Sequence, residues 1–298
     1  MLPAAIATAL RPAAQWRLSD IPGTESLSSM PVVMKSTPAS ARDFQPWMSA
    51  SHPETPDAPA FDMAITVGEN TAREAGVSRE AADEWAYHSH QRAAASVANG
   101  WFDREVVPVP LPGGGLFERD EHPRADTTLE KLASLKVLLP ELPDAIVTAG
   151  NAAGLNDAAA AVMVVSDEYA RAHGLTPLAR IVSWASVGLE PARTGLAPTL
   201  AIPKALDRAG MKTGDIDLFE INEAFCSMAV ASSRQLGLDH DIVNVNGSGC
   251  GLGHPIAATG ARMLVTMLHA LRRRDVGAGC VSMCAGGGMG SALVVEIL

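Results

Sequence analysis

The first three quarters of this chain contain no cysteine, and all four cysteines of its 298 residues lie in the last quarter. They are Cys226, Cys250, Cys280 and Cys284. This clustering is unlike the disulfide framework of a secreted domain and favours a reducing compartment, so we expect a cytoplasmic protein. The first residues also lack the basic segment with which a signal peptide begins.

Long apolar runs and basic clusters are equally scarce. No apolar stretch approaches the roughly 20 residues that a membrane-spanning helix needs, so we expect no membrane segment. The formal net charge is −10, from 23 Lys and Arg against 33 Asp and Glu, which argues against nucleic acid as the main partner. The only basic run, residues 272–274, closes a predicted helix, where cations offset the helix dipole.

The rest of the composition suits a globular α/β protein, with 47% hydrophobic and 19% charged residues. From residue 145 onward, apolar runs of strand length alternate with helical segments, three of which end on glycine as left-handed caps require. This alternation of strands and helices, with two strands at its end, predicts a mixed sheet with helices on its faces and a terminal hairpin. The predicted strands span 158–166, 177–188, 216–222, 241–247, 279–284 and 291–298, and the predicted helices span 167–174, 200–210, 223–237 and 257–274.

Residues 31–140 have a different character, because they are rich in proline and loop and contain one clear helical stretch. Ser78 is the predicted N-cap of a helix there, and acidic residues follow in its first turn. An irregular segment of this length beside a regular domain is typical of an insertion that builds a substrate pocket.

Three turns at strand ends carry the chemistry. EINEAF presents Asn222, NVNGSGCGLGHPIAATGAR presents His254, and CVSMCAGGGMG presents Cys284 followed by Gly286 and two further glycines. An imidazole, a thiol and an amide on neighbouring loops are the components of a site that moves acyl groups between thioesters. The backbone N–H groups of the three glycines predict an oxyanion hole.

Each turn also has a plainer interpretation. His254 as a surface histidine beside a nucleotide-binding helix start would need the dinucleotide glycine spacing, which this turn lacks. Cys284 would be a buried structural cysteine, an interpretation that the glycines after it weaken. Asn222 would be a simple N-cap, and Glu223 would only favour the dipole of the helix that it opens.

The spacing of cysteine and histidine raises two further alternatives. Cys250 and His254 are separated by three residues, as are Cys280 and Cys284, but a zinc site needs about four ligands in tight geometry and a strand spreads the second pair apart. We therefore expect no metal. Cys250 is also a candidate substitute nucleophile, because it lies four residues before His254.

In this order, the three turns resemble the signature blocks of the thiolase family, the acetyl-CoA acetyltransferases and 3-ketoacyl-CoA thiolases. The segment TAGNAAGLNDAAAAVMVVS at 148–166, PGTESLS at 22–28 and the stretch DEHPRADTTLEKLASLK are also similar to thiolase blocks. The resemblance therefore runs from about Pro22 to the end of the chain.

The resemblance implies an α/β fold with the thiolase-like layers αβαβα. In this expectation the C-terminal half is complete and the N-terminal half is mostly missing. The implied domains are a remnant of the N-terminal half at 1–30, a loop domain covering the substrate site at 31–144, and the C-terminal thiolase domain at 145–298.

The resemblance also implies a role for each turn. His254 would activate a nucleophilic cysteine and bind the thioester oxygen, while Asn222 would hold a water in the same oxyanion hole. Cys284 would exchange a proton with the substrate α-carbon or with the CoA thiol, and the Gly286 N–H would stabilise the acyl-enzyme oxyanion. These roles describe cleavage of 3-ketoacyl-CoA, or condensation of acetyl-CoA, through an acyl-cysteine intermediate.

Binding of CoA is implied at three further residues. Arg124, Ala149 and Ala153 fall where the family contacts the pantetheine and phosphate region of CoA, and Ala153 replaces a usual serine. The CoA thioester is the substrate, and no further cofactor is implied. By analogy with the family, we expect a homo-oligomer, either a dimer or a tetramer.

The main departure from the family concerns the acyl-accepting cysteine, which thiolases carry in a CxSG-type turn of the N-terminal half. Registering on Glu25 and Ser26 places that turn a handful of residues before Met1. Three interpretations follow: a fragment of a longer thiolase, one part of a split enzyme whose partner carries the nucleophile, or a non-catalytic homologue that binds CoA or another subunit. The transferase is the first hypothesis.

Overall fold

The computed structural model of this protein describes residues 4–7 and 64–298. The segment PGTESLS and almost all of the expected N-terminal remnant lie outside the described residues. Within the described part, no helix is both long and apolar enough to cross a bilayer.

Two long helices begin the continuous described segment that starts at residue 64. Helix α1 spans Ala64–Ala75 and helix α2 spans Arg79–Ala98. The predicted cap of α2 is confirmed, because Ser78 Oγ accepts a hydrogen bond from the Ala81 N–H at 3.2 Å. A short hairpin of β2 (Val109–Pro110) and β3 (Leu116–Phe117), and then α3 (Leu129–Ala133), follow α2.

A six-stranded mixed sheet forms the body of the protein, in the order β4-β1-β5-β8-β7-β6. Strands β6 and β7 pair in parallel, and all other neighbours pair antiparallel. The predicted mixed sheet and its terminal β7–β8 hairpin are thus confirmed. The strands are β1 (Ala4–Ala7), β4 (Met163–Ser166), β5 (Ala179–Gly188), β6 (Leu218–Ile221), β7 (Ala278–Ala285) and β8 (Met289–Ile297).

Helices cover both faces of this sheet, as the alternating pattern predicts. Their remaining members are α4 (Asp167–Ala172), α5 (Ala197–Ala209), α6 (Cys226–Leu236), α7 (Gly249–Leu252) and α8 (Thr259–Arg274). Helices α5 and α6 bury Phe219 and Ile221 on one face, while α8 packs its Met267 and Leu271 against the other. Each such fully buried side chain stabilises the fold by about 1.5–3 kcal/mol.

Glycine ends two of these helices in the predicted way. Gly210 after α5 and Gly237 after α6 both adopt left-handed backbone conformations, with φ of 69° and 64°. Gly279 inside β7 has another cause, since a Cβ there would lie 2.6 Å from Met267 Sδ. Close packing of α8 on the sheet therefore requires a residue without a side chain at this point.

The predicted strand at 241–247 is wrong. The chain forms a short 3₁₀ turn at His240–Ile242 and pairs with β6 only at a single bridge between Phe219 and Val243. Asn244 then takes a left-handed φ of 51°, which ends the extended backbone. Its side chain replaces the missing strand, because Oδ1 accepts from the Ile221 N–H and Nδ2 donates to the Ile221 carbonyl, both at 2.8 Å.

The strand predicted at 158–166 is shorter than expected, since β4 begins only at Met163. Helix α6 likewise begins at Cys226, three residues after the predicted start. The domain division at residues 30 and 144 stays a prediction.

Candidate active site

The ends of β6 and β7 bring the first two candidate residues to one edge of the sheet. Asn222 directly follows β6, and its backbone N–H donates to the Ser282 carbonyl of β7 at 3.0 Å. Cys284 lies two residues further along β7. Because these strands run in parallel, their carboxyl ends meet at the same edge, where sites of α/β sheets commonly form.

His254 reaches this edge from the turn between α7 and α8. Its backbone N–H donates to the Gly154 carbonyl at 2.8 Å. In the side chain, Nε2 lies 3.4 Å from Asn222 Nδ2, and Nδ1 lies 2.7 Å from Thr259 Oγ1. The structure therefore brings two of the three predicted catalytic side chains into direct contact.

The surrounding hydrogen bonds assign the proton on the His254 ring. The Thr259 hydroxyl donates to the Pro255 carbonyl at 3.0 Å, so its oxygen accepts from Nδ1–H. Nε2 then carries the lone pair, facing the Asn222 amide N–H. Burial, and then the positive charge of Arg262, lower the pKa of His254. The imidazole is therefore neutral at neutral pH, as a general base must be.

The other end of the Asn222 amide is open. Its Oδ1 is buried and accepts no hydrogen bond from any described residue. A Cβ at Gly249 would lie 2.9 Å from this oxygen, so glycine there leaves room for the amide. An unpartnered buried acceptor is costly unless a water or a ligand donates to it, which fits the expected role of Asn222 in holding a water.

Cys284 occupies a less polar environment than His254. Its thiol lies 3.8 Å from Met228 Sδ and packs against the apolar cluster that includes Phe225 and Val67. Burial raises the pKa of Cys284 to about 11, although a hydrogen bond from the backbone lowers it in part. The thiol is therefore protonated at neutral pH. No hydrogen bond joins it to His254 within the described part of the chain.

The glycine turn after Cys284 only partly fits the predicted oxyanion hole, in which the backbone N–H groups of three glycines are available. Gly286 is exposed, and a Cβ there would meet nothing within 4 Å. The expectation that all three glycine N–H groups are free is wrong for Gly288, whose N–H donates to Thr194 Oγ1 at 3.0 Å. A Cβ at Gly288 would lie 2.0 Å from the Leu189 carbonyl oxygen, so this glycine is required by packing.

The three residues expected to contact CoA lie in different surroundings. Ala153 is at the site, because its N–H donates to the Ala224 carbonyl at 3.0 Å, next to Asn222. Ala149 is exposed on the turn just before that segment. Arg124 is exposed on a loop, and its backbone N–H donates to His90 Nδ1 at 3.4 Å. Its guanidinium makes no hydrogen bond to any residue that the structure describes.

Comparison with known proteins identifies the family. The sequence matches two family models, "Thiolase, C-terminal domain" over residues 175–297 and "Thiolase, N-terminal domain" over residues 21–168. A beta-ketoadipyl-CoA thiolase of Acinetobacter baylyi is 42% identical over 286 residues, which cover 92% of this chain and 71% of that protein. The chain belongs to the thiolase family.

Further thiolases resemble the chain closely. An acetyl-CoA acetyltransferase of Escherichia coli K12 is 47% identical, over 80% of this chain and 60% of that protein. The crystal structure of Bacillus anthracis acetyl-CoA acetyltransferase matches at TM-score 0.76 and 46% identity, over 78% of this chain and 59% of the other. Human mitochondrial 3-ketoacyl-CoA thiolase in complex with CoA matches at TM-score 0.74 and 39% identity, over 78% and 58%.

These matches confirm both the resemblance and the thiolase fold. The chain spans about 60% of the length of the E. coli relative, so the activity of the whole relative does not transfer directly to this chain. The assigned roles of Asn222, His254, Cys284 and Gly286 stay predictions, as do the CoA contacts.

Glu223 is not among the site residues that the sequence predicts. The plainer interpretation, in which Glu223 only favours the dipole of a helix that it opens, is wrong, because α6 begins only at Cys226. Glu223 is instead fully buried, and its carboxylate accepts four hydrogen bonds. The only sequence signal was its place next to Asn222, since its partners lie far away along the chain.

The Cys250 thiol has hydrogen-bond partners other than the imidazole in the described structure. Cys250 is fully buried, and its thiol donates to the Gly150 carbonyl at 3.5 Å. This position disfavours Cys250 as a substitute nucleophile. Among residues 4–7 and 64–298, no three side chains of His, Cys, Asp or Glu are grouped so as to hold a metal ion.

Proposed function

We propose that this chain carries the histidine, asparagine and acid/base cysteine of a thiolase-type acyltransferase site. The reaction is cleavage of 3-ketoacyl-CoA, or its reverse, the condensation of acetyl-CoA, through an acyl-cysteine intermediate. One observation carries the proposal. A neutral imidazole presents its Nε2 lone pair 3.4 Å from an amide whose other end is unpartnered, at the sheet edge where Cys284 also lies.

The names of the relatives support this reaction class. The Escherichia coli relative is an acetyl-CoA acetyltransferase, the Acinetobacter baylyi relative is a beta-ketoadipyl-CoA thiolase, and one structural neighbour was solved with CoA bound. The substrate proposed for this chain is accordingly a CoA thioester. We also propose a homo-oligomer in the cytoplasm.

His254 is the base of the proposed first step. Its Nε2 takes the proton of a nucleophilic thiol, and the resulting thiolate attacks the thioester or ketone carbonyl. Asn222, through a water on its open Oδ1, stabilises the oxyanion that forms. The low pKa of His254 keeps the lone pair available for this proton.

Cys284 is the acid of the carbon–carbon bond cleavage. The nucleophilic sulfur adds to the ketone carbon of 3-ketoacyl-CoA, and the bond between that carbon and the α-carbon of the CoA thioester breaks. The shortened acyl group stays on the sulfur, and the departing acetyl-CoA carbanion takes the Cys284 proton at its α-carbon. The thiolate left on Cys284 then removes the proton of an incoming CoA thiol, whose sulfur attacks the acyl-cysteine. Acyl-CoA is released, and the freed nucleophilic thiolate takes its proton back from His254. A thiol with a pKa of about 11 holds its proton in the resting state, as an acid must.

The nucleophile of this scheme comes from outside the four cysteines of the sequence. Cys226, Cys250 and Cys280 are fully buried, and Cys284 has the acid role. We propose that a segment or partner chain carrying a cysteine turn supplies it. The same observation favours a second candidate, a non-catalytic thiolase homologue that binds CoA or another subunit.

Mass spectrometry and a cleavage assay separate the two candidates. The full chain is incubated with acetyl-CoA and with acetoacetyl-CoA plus CoA, alone and together with the N-terminal segment of the Escherichia coli relative that bears a cysteine turn. The transferase proposal expects an acetyl-enzyme adduct and cleavage only in the mixture. CoA binding without an adduct or cleavage in either sample would support the non-catalytic candidate.

A further inference from the structure

Glu223 sits at the junction of three separate parts of the chain. One carboxylate oxygen accepts from Trp85 Nε1 at 2.8 Å and from Asn244 Nδ2 at 2.7 Å. The other accepts from Ser89 Oγ at 2.6 Å and from the Cys250 N–H at 3.0 Å. Helix α2, the turn after β6 and the segment that leads to His254 are therefore joined by a single side chain.

Ser89 completes this junction from helix α2. Its hydroxyl donates to Glu223, and its oxygen accepts from the Gly251 N–H at 3.0 Å and the Ser248 N–H at 3.3 Å. The backbone packs as closely as it can here, because a Cβ at Gly247 or Gly251 would lie 2.5 Å from the Ser89 carbonyl oxygen. Helix α2 thus contacts the 247–251 segment without any intervening side chain.

The Glu223 carboxylate at this junction is fully buried, so its charge needs compensation. An ionised carboxylate removed from water costs several kcal/mol unless hydrogen bonds and opposite charge compensate. Four donors compensate here. Burial lowers the pKa of Arg92, and the Glu223 carboxylate partly offsets that lowering; the Arg92 guanidinium donates to the Val243 carbonyl at 2.7 Å. An apolar side chain would fill the same volume without that cost, so the carboxylate is used for its directional contacts.

These contacts fix the two turns that carry the catalytic pair. Asn222 is the chain neighbour of Glu223, and His254 follows the anchored Cys250 by four residues. The distance between the Asn222 amide and the imidazole is 3.4 Å, at the long end of hydrogen-bond range, so a small movement of either turn separates them.

We propose that Glu223 and Ser89 are positioning residues, a clamp by which helix α2 holds the half-buried imidazole of His254 against Asn222, with its Nε2 lone pair presented to the site. The inference rests on the proposed function, in which His254 acts as the base. Neither residue touches the reacting atoms. The clamp assigns to α2, a helix outside the predicted C-terminal domain, a direct part in the geometry of the acyl-transfer site.

Nitrogen-15 NMR of the His254 ring in the full chain tests the clamp without any need for turnover. The His254 signals are assigned by their loss in His254→Ala, and the ring is titrated in Ser89→Ala, Glu223→Gln and wild type. We expect wild-type His254 to carry its proton on Nδ1 and to titrate below about 6.5. In both variants its pKa should rise toward that value, with a mixed tautomer signal, because the loosened turn admits water to the ring.

Ser96→Ala is the matched control. Ser96 lies on the same helix and is also fully buried, but its hydroxyl makes only a 3.5 Å contact with Asn246. This variant should leave the His254 titration unchanged, whatever it does to the melting temperature. An unchanged His254 titration in Ser89→Ala, with a stability loss no different from that of Ser96→Ala, would overturn the clamp and leave Ser89 a packing residue.

Two further outcomes are decisive. If Glu223→Gln does not fold, Ser89→Ala decides the question alone, since it removes one hydroxyl and keeps the carboxylate. If the chain shows no acyl transfer with any cysteine-bearing segment but the His254 pKa still rises in Ser89→Ala, the clamp stands as geometry and the proposed function fails. The two inferences therefore fail on separate measurements.

Discussion

Asn222 and His254 lie 32 positions apart in the sequence, yet Asn222 Nδ2 and His254 Nε2 are 3.4 Å apart in the fold. Thr259 Oγ1 holds the opposite ring nitrogen at 2.7 Å. The imidazole is thus bound on both edges, and only one orientation and one tautomer satisfy both neighbours. The proposed acyl-transfer role of this chain depends on that arrangement.

Thr259→Val should disturb the tautomer of His254 while preserving the volume of the side chain. Valine cannot accept the Nδ1 proton, so the proton is expected to spread between the two ring nitrogens and the lone pair on Nε2 to be lost in part. The ring nitrogen-15 shifts measure this directly. Thr266→Val is the control on the same helix, because its hydroxyl binds Glu105. Equal spectra for both variants would contradict the assigned role of Thr259.

His254→Ala and Cys284→Ala should each abolish turnover in an enzyme reconstituted with a cysteine-bearing segment. Removal of a positioned acid or base typically costs about 10²–10⁴-fold in rate. Acetoacetyl-CoA cleavage measures the loss, and circular dichroism checks that the fold is kept. A reconstituted variant with near-wild-type rate would show that the corresponding role is misassigned.

Much of this fold could be predicted because its signals are local. Strand-length apolar runs, and the left-handed glycines Gly210 and Gly237, mark element ends within a few residues of themselves. The strand predicted at 241–247 failed because the apolar residues there have the strand pattern, while Asn244 uses its side chain in place of backbone pairing with Ile221. The hydrophobic pattern does not distinguish a strand that pairs its backbone with Ile221 from a side chain that makes the same hydrogen bonds.

One part of the candidate site could likewise be predicted from local sequence, and another part could not. Asn222 directly follows a strand, while His254 and Cys284 lie beside glycines at the ends of a helix and a strand, and the topology then brings their turns to one edge. The role of Glu223 could not be predicted from the local sequence, because its hydrogen-bond donors Trp85 and Ser89 are 138 and 134 residues away. Such contacts are set by how the helices pack, which the local sequence does not encode.

Alkylation of Cys284 should depend steeply on pH. The thiolate is the reactive form, and burial raises the pKa of Cys284 to about 11, so the rate with iodoacetamide should increase about tenfold per pH unit up to that value. The other three cysteines are fully buried, so peptide mapping should find the label on Cys284 first. Cys284→Ser is the control and should remain unlabelled. A rate that levels off near pH 8 would contradict the raised pKa.

Glu105 should make stability decline between about pH 4.5 and about pH 7. Burial raises the pKa of Glu105 from 4.5 to about 7, against the opposing hydrogen bond from Thr266. The folded state therefore binds a proton in this window that the unfolded state has released. The stabilisation is fully present below about pH 4.5 and is lost as pH rises through about 7.

Glu105→Gln removes that titration and should be more stable than wild type at pH 8, with a smaller difference in melting temperature between pH 5 and pH 8. Thermal unfolding at the two pH values measures it. Glu118→Gln, at an exposed position, should keep the wild-type pH dependence. The interpretation fails if Glu105→Gln and Glu118→Gln give the same two melting temperatures.

Two glycines near the site should respond to alanine in opposite ways. A Cβ at Gly249 would lie 2.9 Å from Asn222 Oδ1 and 3.0 Å from the Glu223 carbonyl oxygen, whereas at Gly286 it would meet nothing within 4 Å. Gly249→Ala should therefore push the Asn222 amide from His254, change the His254 ring titration and reduce acetoacetyl-CoA cleavage in a reconstituted enzyme. Gly286→Ala should fold normally and leave the His254 ring unchanged. If both variants gave wild-type ring spectra, the close packing of Gly249 would not be what aligns Asn222 with the imidazole.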